Sequence, residues 1–338
     1  MKDISVFLGA NTDSGFRSLY EETVDRLALK RLYVIKGSAG CGKSGLMKRV
    51  ADRAVGAGED IVRVLCSGDP DSLDGLILPG RGIAFFDGTA PHILEPTMAG
   101  QTGFYIDLSR FYTSPAEGLE SRYDSYREHY RKAYCYLSAA GKVEEAERCS
   151  PDIRDAIRRR AYALAERTLG RARGRGRILR CYTDAFTCQG RLSLEESRRT
   201  LAPALISLCG GAERRDLFMQ AFLQAAAERR RDVVLCPDAC EPLRIAHLLL
   251  PELGLGITSG RGDRRIHLEK LGLPSSSAEK AHARTLEELR AALLSEAQEE
   301  LALAKADHDL LEAAVKPHID FAGVTELTEE IIQRVFES

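Results

Sequence analysis

The sequence predicts an α/β fold with two parallel sheets in tandem, helices on both faces of each sheet and further helices appended after each core. Three observations carry this prediction. A β-prone run at residues 32–35 leads through a glycine-rich segment into a helical pattern from Ser44 to Ala57. A second apolar run ends at Asp87, the length of one helix–strand unit further on. An internal repeat then brings the same order of features back in the second half.

The bulk composition allows two globular domains and excludes several classes of protein. The chain has 338 residues, of which 44% are hydrophobic and 29% charged, and its net charge is -2. That charge does not indicate a nucleic-acid partner, and no apolar run is long enough to predict a membrane span. Nine cysteines without an export signal predict reduced thiols and a cytoplasmic location. They form no paired C-x-x-C array, so the sequence does not predict a zinc site.

The glycine-rich segment completes the G-x-x-x-x-G-K-[ST] phosphate-binding pattern, known as Walker A. Its residues are Gly37, Ser38, Ala39, Gly40, Cys41, Gly42, Lys43 and Ser44. Glycines let the backbone curl so that successive N–H groups face a phosphate, and the helix that follows adds favourable partial charge. We expect Lys43 to bridge the β- and γ-phosphates and Ser44 to bind Mg²⁺. A glycine-rich turn without a ligand is the alternative interpretation.

The apolar run at residues 83–86 ends in Asp87 and has the form of a Walker B strand. An aspartate at this place holds the Mg²⁺ shell from the end of a strand beside the phosphate loop. We therefore expect Ser44 and Asp87 to be the metal-binding residues. An ordinary buried strand that ends in an Asp-Gly turn is the alternative.

The internal repeat becomes visible when the two halves are overlaid. Ala10, Thr12 and Gly15 have counterparts 175 positions later, in Ala185, Thr187 and Gly190. We expect domain 1–172 to carry the intact Walker A and Walker B motifs with a helical extension. Domain 173–338 is expected to be a degenerate repeat with long C-terminal helices.

The second half has lost the residues that phosphate binding needs. Its segment 209–216 has no Gly-Lys-Ser ending, Glu213 would put negative charge where a phosphate should lie, and Ser259 replaces Asp87. The sequence therefore predicts one competent site. Arg214 and Arg215 could reach that site as an internal arginine finger, although a helix surface is the simpler role for them.

The helices appended to each core have local start signals. Ser114-Pro115-Ala116-Glu117 is a capping box, which predicts a helix from there toward Leu137 or beyond. A second helix is predicted to begin at Ser150-Pro151. In the second half, one long helix is expected to end near Val315 and a short one to cover residues 325–336.

Three segments of the chain together resemble a bacterial family of tandem P-loop ATPases, within the superfamily of P-loop nucleoside triphosphate hydrolases. They are the glycine-rich motif, the Asp-Gly-Thr-Ala-Pro-His string at residues 87–92, and the run from Cys66 through Asp71 and Asp74 to Pro79. The resemblance implies ATP binding and hydrolysis, but no particular substrate. Members of the family usually look as though each half carries a complete loop, and this chain departs from that pattern in its second half.

Two parts of a phosphoryl-transfer site remain without an obvious residue: a group that orients the attacking oxygen and a further cation. We rank Asp74 first as the orienting group, followed by Asp71 and His92, and Glu95 is a weaker candidate. All of them are expected near the strand ends that face the phosphates. Loop capping and turn chemistry are the alternative for each of them, above all for Asp74 before Gly75.

The leading function is a Mg²⁺-dependent, ATP-binding P-loop NTPase that hydrolyses ATP to drive a conformational change. Its cofactors are ATP and Mg²⁺, and its protein or small-molecule partner is unknown. No Glu follows Asp87, which slightly favours the first alternative, a small-molecule or nucleotide kinase. The second alternative is a scaffold whose halves are locked together by ATP without significant turnover.

Overall fold

The computed structural model describes residues 2–91, 93–96, 98–144, 149–173, 175–272 and 277–337, which form two halves that each contain a six-stranded sheet. The first half contains β1 (Asp3–Val6), β2 (Gly9–Thr12), β3 (Gly15–Ser18), α1 (Tyr20–Arg26), β4 (Arg31–Lys36), α2 (Lys43–Gly56), β5 (Ile61–Leu65), β6 (Leu73–Leu78), β7 (Ile83–Asp87), β8 (Gly103–Asp107), α3 (Glu120–Glu144) and α4 (Pro151–Thr168). The second half contains β9 (Ile178–Arg180), β10 (Asp184–Thr187), β11 (Gly190–Ser193), α5 (Glu195–Leu201), β12 (Ala204–Cys209), α6 (Ala212–Glu228), β13 (Val233–Pro237), β14 (Ile245–Leu250), β15 (Leu255–Thr258), β16 (Arg264–His267), α7 (Ser277–Val315) and α8 (Phe321–Phe336).

The first sheet confirms the α/β class but corrects the prediction of a parallel sheet. Its strands lie in the order β1-β5-β6-β7-β4-β8. Strand β4 is parallel to both of its neighbours, whereas β6 is antiparallel to both β5 and β7. The reason is the length of the connections. Residues 66–72 and 79–82 are fewer than the roughly one dozen that a parallel crossover needs.

The second sheet repeats this arrangement strand for strand. Its order, β9-β13-β14-β15-β12-β16, follows when each strand of the first sheet is replaced by its counterpart. The directions agree as well, because β12 is parallel to β15 and β16 while β14 is antiparallel to both of its neighbours. The two halves therefore share one topology, and the same correction from parallel to mixed applies to the second.

Helices are exchanged between the halves. On the outer face of the first sheet, helix α2 packs together with α8, whose Val324, Ile331, Ile332 and Val335 belong to the same buried cluster. On the outer face of the second sheet, α6 packs with α4, which comes from the first half of the sequence. A third cluster fills the space between the two sheets. The outer face of each sheet is thus covered in part by a helix from the other half of the sequence.

Two pairings tie the halves together near the strand ends. Helices α3 and α7 pack along each other, and the cluster between them includes Leu137 and Leu301. The hairpins are exchanged as well: in the turn of β2–β3, Asp13 donates its N–H to the carbonyl of Cys240 at 2.9 Å. In the turn of β10–β11, the Gln189 amide donates to Asp71 at 3.3 Å. Each hairpin turn therefore touches a loop that follows a strand of the opposite sheet.

Helix α3 begins at Glu120, later than the capping box at residues 114–117 predicts. Gly118 adopts a positive φ of 72°, which interrupts any helix that starts before it. The predicted capping hydroxyl of Ser114 is instead hydrogen-bonded to His318 at 2.7 Å. Among the helices that the structure describes, none combines the length and the hydrophobicity needed to cross a bilayer.

Candidate functional site

The residues between β4 and α2 form a curled segment, which we call the glycine loop (residues 37–42). Gly37, Gly40 and Gly42 have φ values of 147°, 77° and 98°, which residues with a Cβ rarely adopt. Space demands glycine as well, because a Cβ on Gly40 would lie 3.1 Å from the backbone of Glu312 in α7. A Cβ on Gly37 would lie 2.5 Å from the Cys41 sulfur. The loop therefore owes its shape both to strained dihedral angles and to neighbours packed against it.

Cys41 fills space beneath the loop. Its side chain is fully buried, and this burial raises the pKa of the thiol although nearby Lys43 acts in the opposite direction. A buried thiol with a raised pKa carries little thiolate at neutral pH, so Cys41 acts as a packing residue.

The backbone N–H groups of the glycine loop are available to a ligand. In the part of the chain that the structure describes, none of them donates to a backbone carbonyl. They precede Lys43, the first residue of α2, where the helix has its own unpaired N–H groups. A row of such groups at a helix N-terminus attracts an anion.

Lys43 spans the mouth of the glycine loop. Its ammonium group donates to the carbonyls of Gly37 and Ser38 at 2.7 and 2.8 Å. It also lies 3.6 Å from a carboxylate oxygen of Asp87, and the two side chains are 11% and 12% exposed. The cation that the sequence assigns to phosphates and the carboxylate that it assigns to metal are therefore neighbours.

Asp87 is placed beside the loop by strand pairing, because β7 is parallel to β4 and Asp87 pairs with Ile35. One carboxylate oxygen accepts hydrogen bonds from the N–H and hydroxyl of Thr89 at 2.8 and 2.6 Å. Burial raises the pKa of Asp87, and Lys43 and Thr89 only partly offset that effect. The other carboxylate oxygen is the one that faces Lys43, so a second cation at this place would relieve the cost of burial.

The loop and Asp87 open onto a cleft of about 420 Å³. It brings together nearly all of the predicted site residues: the loop from Ser38 to Gly42, Lys43, Ser44, Asp71, Asp74 and Asp87. Gly37 lies directly before this lining. His92, the third-ranked candidate for the orienting group, lies outside the described residues.

Asp74 and Asp71 line the cleft in different environments. Asp74 lies inside β6 and is 5% exposed, with the Tyr20 hydroxyl donating to it at 3.4 Å, so the turn role that we weighed for it is wrong. Asp71 lies in the loop before β6, where its backbone carbonyl accepts from Lys48 at 2.6 Å and its side chain accepts from Gln189. Ser44 accepts from the N–H of Leu73 at 2.9 Å, which ties α2 to the start of the same strand.

The sequence did not predict that helices α7 and α8 form one wall of the cleft. His308, Glu312, Lys316 and Phe321 line it together with the loop residues. No local motif marks these positions. The available signal was indirect: the apolar face of α8 needs a partner surface, and two strained glycines of the loop pack against these helices.

Three weaker candidates lie elsewhere. Glu95 is bound by Lys36 at 2.9 Å and by the Tyr105 hydroxyl on the exposed side of the sheet. Arg214 donates to the carbonyls of Leu268 and Leu271 in its own half, at 2.8 and 2.7 Å. Arg215 donates to the carbonyl of Gly210. Neither arginine is among the residues that line the cleft, so the geometry does not support an internal arginine finger.

The equivalent place in the second half is closed. Only Gly210 and Gly211 separate β12 from α6, and the cavity beside them measures about 20 Å³. Glu213 points away from it and binds the start of α4, through the N–H of Cys149 at 2.6 Å and the side chain of Arg154. Ser259 lies just beyond β15, at the end where β7 carries Asp87.

The donors around the cleft fit a small divalent cation that is shared with a phosphate ligand. Among the residues described, no group of three or more His, Cys, Asp or Glu side chains is arranged to hold a metal by itself. Mg²⁺ needs only one or two protein oxygens when phosphates and water supply the rest. Ser44 and Asp87 offer such oxygens, and both line the cleft beside the glycine loop.

Comparisons of this chain with protein-family models, with curated proteins and with solved structures found no match. The candidate site therefore rests on the geometry and chemistry of its own residues.

Proposed function

We propose that the protein is a Mg²⁺-dependent P-loop NTPase that binds ATP at one site, in the first half, and hydrolyses it to move helices α7 and α8. The observation that carries this proposal is the glycine loop, whose N–H groups donate to no backbone carbonyl of the described residues, beside Lys43 and Asp87 at the mouth of a cleft large enough for a ligand. The resemblance to tandem P-loop ATPases favours adenine over guanine nucleotides. The nine cysteines are all free, which supports a cytoplasmic location.

Charge supports a requirement for a divalent cation. The cleft is lined by Asp69, Asp71, Asp74, Asp87 and Glu312, against the lysines Lys43, Lys48 and Lys316. This surplus of carboxylates repels a free triphosphate. Bound Mg²⁺ would neutralise charge on the β- and γ-phosphates, and Ser44 with Asp87 would hold it.

Residues of the chain also account for phosphate binding and for the orientation of the attacking water. The loop N–H groups and the start of α2 bind the phosphates, and Lys43 exchanges its bonds to Gly37 and Ser38 for phosphate oxygens. In hydrolysis, the oxygen of a water molecule attacks the terminal phosphorus while the bond to the bridging oxygen breaks, and ADP and phosphate result. Asp71 and Asp74 are the carboxylates available to accept a hydrogen bond from that water.

A second candidate function, an ATP-locked scaffold, is favoured by one specific observation. The cleft lies between the first sheet and helices α7 and α8, so a bound nucleotide would contact both. Binding energy alone could then hold the helices in place, with no need for turnover.

The test is phosphate release from Mg·ATP, with and without a pool of small metabolites from a cell extract. Wild type is compared with Lys43→Ala and with Arg215→Ala, a matched loss of positive charge at the corresponding place in the second half. Turnover without the pool that drops about a hundredfold or more in Lys43→Ala, but not in Arg215→Ala, supports an ATPase. Equal turnover in all three proteins would contradict the proposal.

Two other results would point to the alternatives. Turnover that appears only with the metabolite pool would identify a kinase, because a phosphoryl acceptor other than water is then required. No turnover, combined with a melting temperature that ATP raises in wild type but not in Lys43→Ala, would identify the scaffold.

A further inference from the structure

The cations of the first sheet that line the cleft are already engaged. Lys43 donates to two loop carbonyls and faces Asp87. Lys48 donates to the carbonyl of Asp71 at 2.6 Å. Arg214 and Arg215 are bound to carbonyls of the second half. Lys316 enters the cleft from the C-terminal helices, so it is a candidate for the further cation that phosphoryl transfer requires.

The backbone at Lys316 is fixed to the glycine loop. Lys316 opens a short 3-10 helix (Lys316–His318) between α7 and α8. The N–H of Thr113 donates to the carbonyl of His318 at 2.9 Å, and Tyr112 pairs with Ile319. The hydroxyl of Tyr112 is in turn hydrogen-bonded to the hydroxyl of Ser38 in the glycine loop. The base of the Lys316 side chain is thus held at a set place relative to the loop.

The ammonium group of Lys316, in contrast, can exchange its present ion-pair partner for another anion. Its ammonium group lies 2.9 Å from a carboxylate oxygen of Glu312, one turn earlier on α7, and its side chain is 53% exposed. An exposed ion pair of this kind contributes little to stability, so an anion with more charge can replace it. Glu312 is the residue whose backbone packs against Gly40, so this pair stands at the rim of the loop.

We propose that Lys316 binds the terminal phosphate of the nucleotide and that Glu312 holds this lysine until the phosphate replaces it. This inference rests on the proposed function, because it assumes that the glycine loop binds a nucleoside triphosphate. The loop N–H groups bind the inner phosphates and Lys43 bridges the β- and γ-phosphates, whereas Lys316 approaches from the opposite wall of the cleft. Lys316 is then a catalytic residue that neutralises charge on the phosphoryl group in transfer.

Opposite effects of the two partners distinguish this role from a structural one. Loss of Lys316 removes a contact that ATP has and ADP lacks, so binding of triphosphate weakens while binding of diphosphate does not. Neutralising Glu312 frees the lysine and removes a repulsive charge, so binding of triphosphate strengthens. A merely structural ion pair would give effects of the same sign for both substitutions.

The experiment is titration calorimetry of the full chain with Mg·AMP-PNP, a non-hydrolysable triphosphate, and with Mg·ADP. It compares wild type with Lys316→Ala, Glu312→Gln and Lys280→Ala, the last being an exposed lysine of α7 that does not line the cleft. We expect Lys316→Ala to weaken AMP-PNP binding about tenfold and ADP binding less than about twofold. Glu312→Gln strengthens AMP-PNP binding, and Lys280→Ala changes neither.

Three other results would contradict the proposed role of Lys316, each for a different reason. Variants at 316 and 312 that bind both nucleotides as wild type does would overturn the role of Lys316 and leave the proposed function standing. Equal weakening for AMP-PNP and ADP would show that the lysine does not distinguish the terminal phosphate. Wild type that binds neither nucleotide would overturn the proposed function and this inference together.

Discussion

The two halves of the molecule share one sheet topology, yet the cavities that their described residues form at corresponding strand ends differ greatly in size. The difference lies in the connection between the central strand and the helix that follows it. In the first half, residues 37–42 separate β4 from α2 and border about 420 Å³. In the second half, Gly210 and Gly211 separate β12 from α6, and the cavity at the start of α6 measures about 20 Å³. Two sheets can therefore share a fold and still border cavities of very different size, because such a cavity depends on a few residues at one strand end.

The inner faces of the two sheets differ in a similar way. In the first half, the ring of Phe86 lies over Gly75, where a Cβ would come within 2.4 Å of it. The corresponding pair in the second half is His247 and Thr258, which are hydrogen-bonded at 2.7 Å. His247 also donates to Asp184 at 3.1 Å, and Asp184 accepts from Arg198 at 2.8 Å. The second half thus holds a buried polar network at the place where the first half holds an aromatic ring.

That network buries two opposite charges, those of the Asp184 carboxylate and the Arg198 guanidinium. Burial would raise the pKa of Asp184, but its bond to His247 and the charges of Arg198 and Arg191 outweigh burial, so the pKa lies below its usual value. Burial lowers the pKa of His247, which is therefore neutral at neutral pH. The second half thus holds a buried network of charged pairs that would be costly to break, whereas Lys43, Asp71 and Asp87 of the first half lie at the cleft.

The largest expected effect on stability follows from Arg198. Replacing it in Arg198→Leu leaves the buried carboxylate of Asp184 without its closest cation, which should cost about 3 kcal/mol in the free energy of unfolding. The matched control is Thr23→Ala, at the corresponding turn of α1 in the first half, for which we expect a change below about 1 kcal/mol. Urea unfolding of both variants measures the difference. Similar losses in the two variants would mean that the network is no more than ordinary packing.

The second comparison uses hydrogen exchange with Mg·ATP. At about a hundred times its Kd, ATP should stabilise its site by about 2.7 kcal/mol, and exchange there should slow by up to about a hundredfold. We expect that protection in residues 37–45 and 308–321, since both segments line the cleft. Residues 210–216 should exchange at an unchanged rate. Protection of that segment would refute the idea that the second half has no nucleotide site.

A smaller difference is expected between two glycines that precede corresponding helices. Gly42 has a φ of 98°, whereas Gly211 has a φ of -60° that any residue adopts. Gly42→Ala should therefore lower the free energy of unfolding by about 1–2 kcal/mol, and Gly211→Ala by no more than a few tenths. Thermal unfolding without nucleotide is the measurement. Equal stability of the two variants would show that the glycine loop is not strained.

The smallest effect concerns Asp87, whose pKa is raised by burial. A raised pKa means that the protonated form fits the folded state better. The favourable contribution is present below the ordinary value of 3.8 and is lost as the pH rises through the folded pKa. Asp87→Asn should thus melt slightly above wild type at pH 7, and the gap should narrow as the pH falls toward 3.8. A lower melting temperature at pH 7 would indicate that the pair with Lys43 outweighs burial.

The sequence predicted the parts of the site that are local in the chain. The strand before the loop, the helix after it and the strand that ends at Asp87 all lie where the pattern placed them, because their signals span a few adjacent residues. The prediction of parallel sheets was wrong at β6, and the short connection 66–72 could have revealed the antiparallel direction of that strand. Asp71 and Asp74 do reach the cleft, but their order of importance stays a prediction.

Contacts between distant parts of the sequence could not be predicted in this way. Glu312 and Phe321 touch the glycine loop only because α7 and α8 fold back onto the first sheet. An amphipathic pattern shows that a helix has a buried face, but it does not name the surface that covers it. The domain boundary at residues 172 and 173 stays a prediction for the same reason, since α4 and α8 each pack on the sheet of the opposite half.

The exchange of helices also bears on how the protein is made. A ribosome delivers the first sheet early, and domains generally fold as they emerge. The face of this sheet that carries Met47, Val50 and Ile83 is completed only by residues such as Ile331 and Val335 of α8. That apolar face therefore stays exposed on the nascent chain until α8 has been synthesised. The wall of the cleft that contains Lys316 arrives equally late, so the cleft is complete only after synthesis has passed α8.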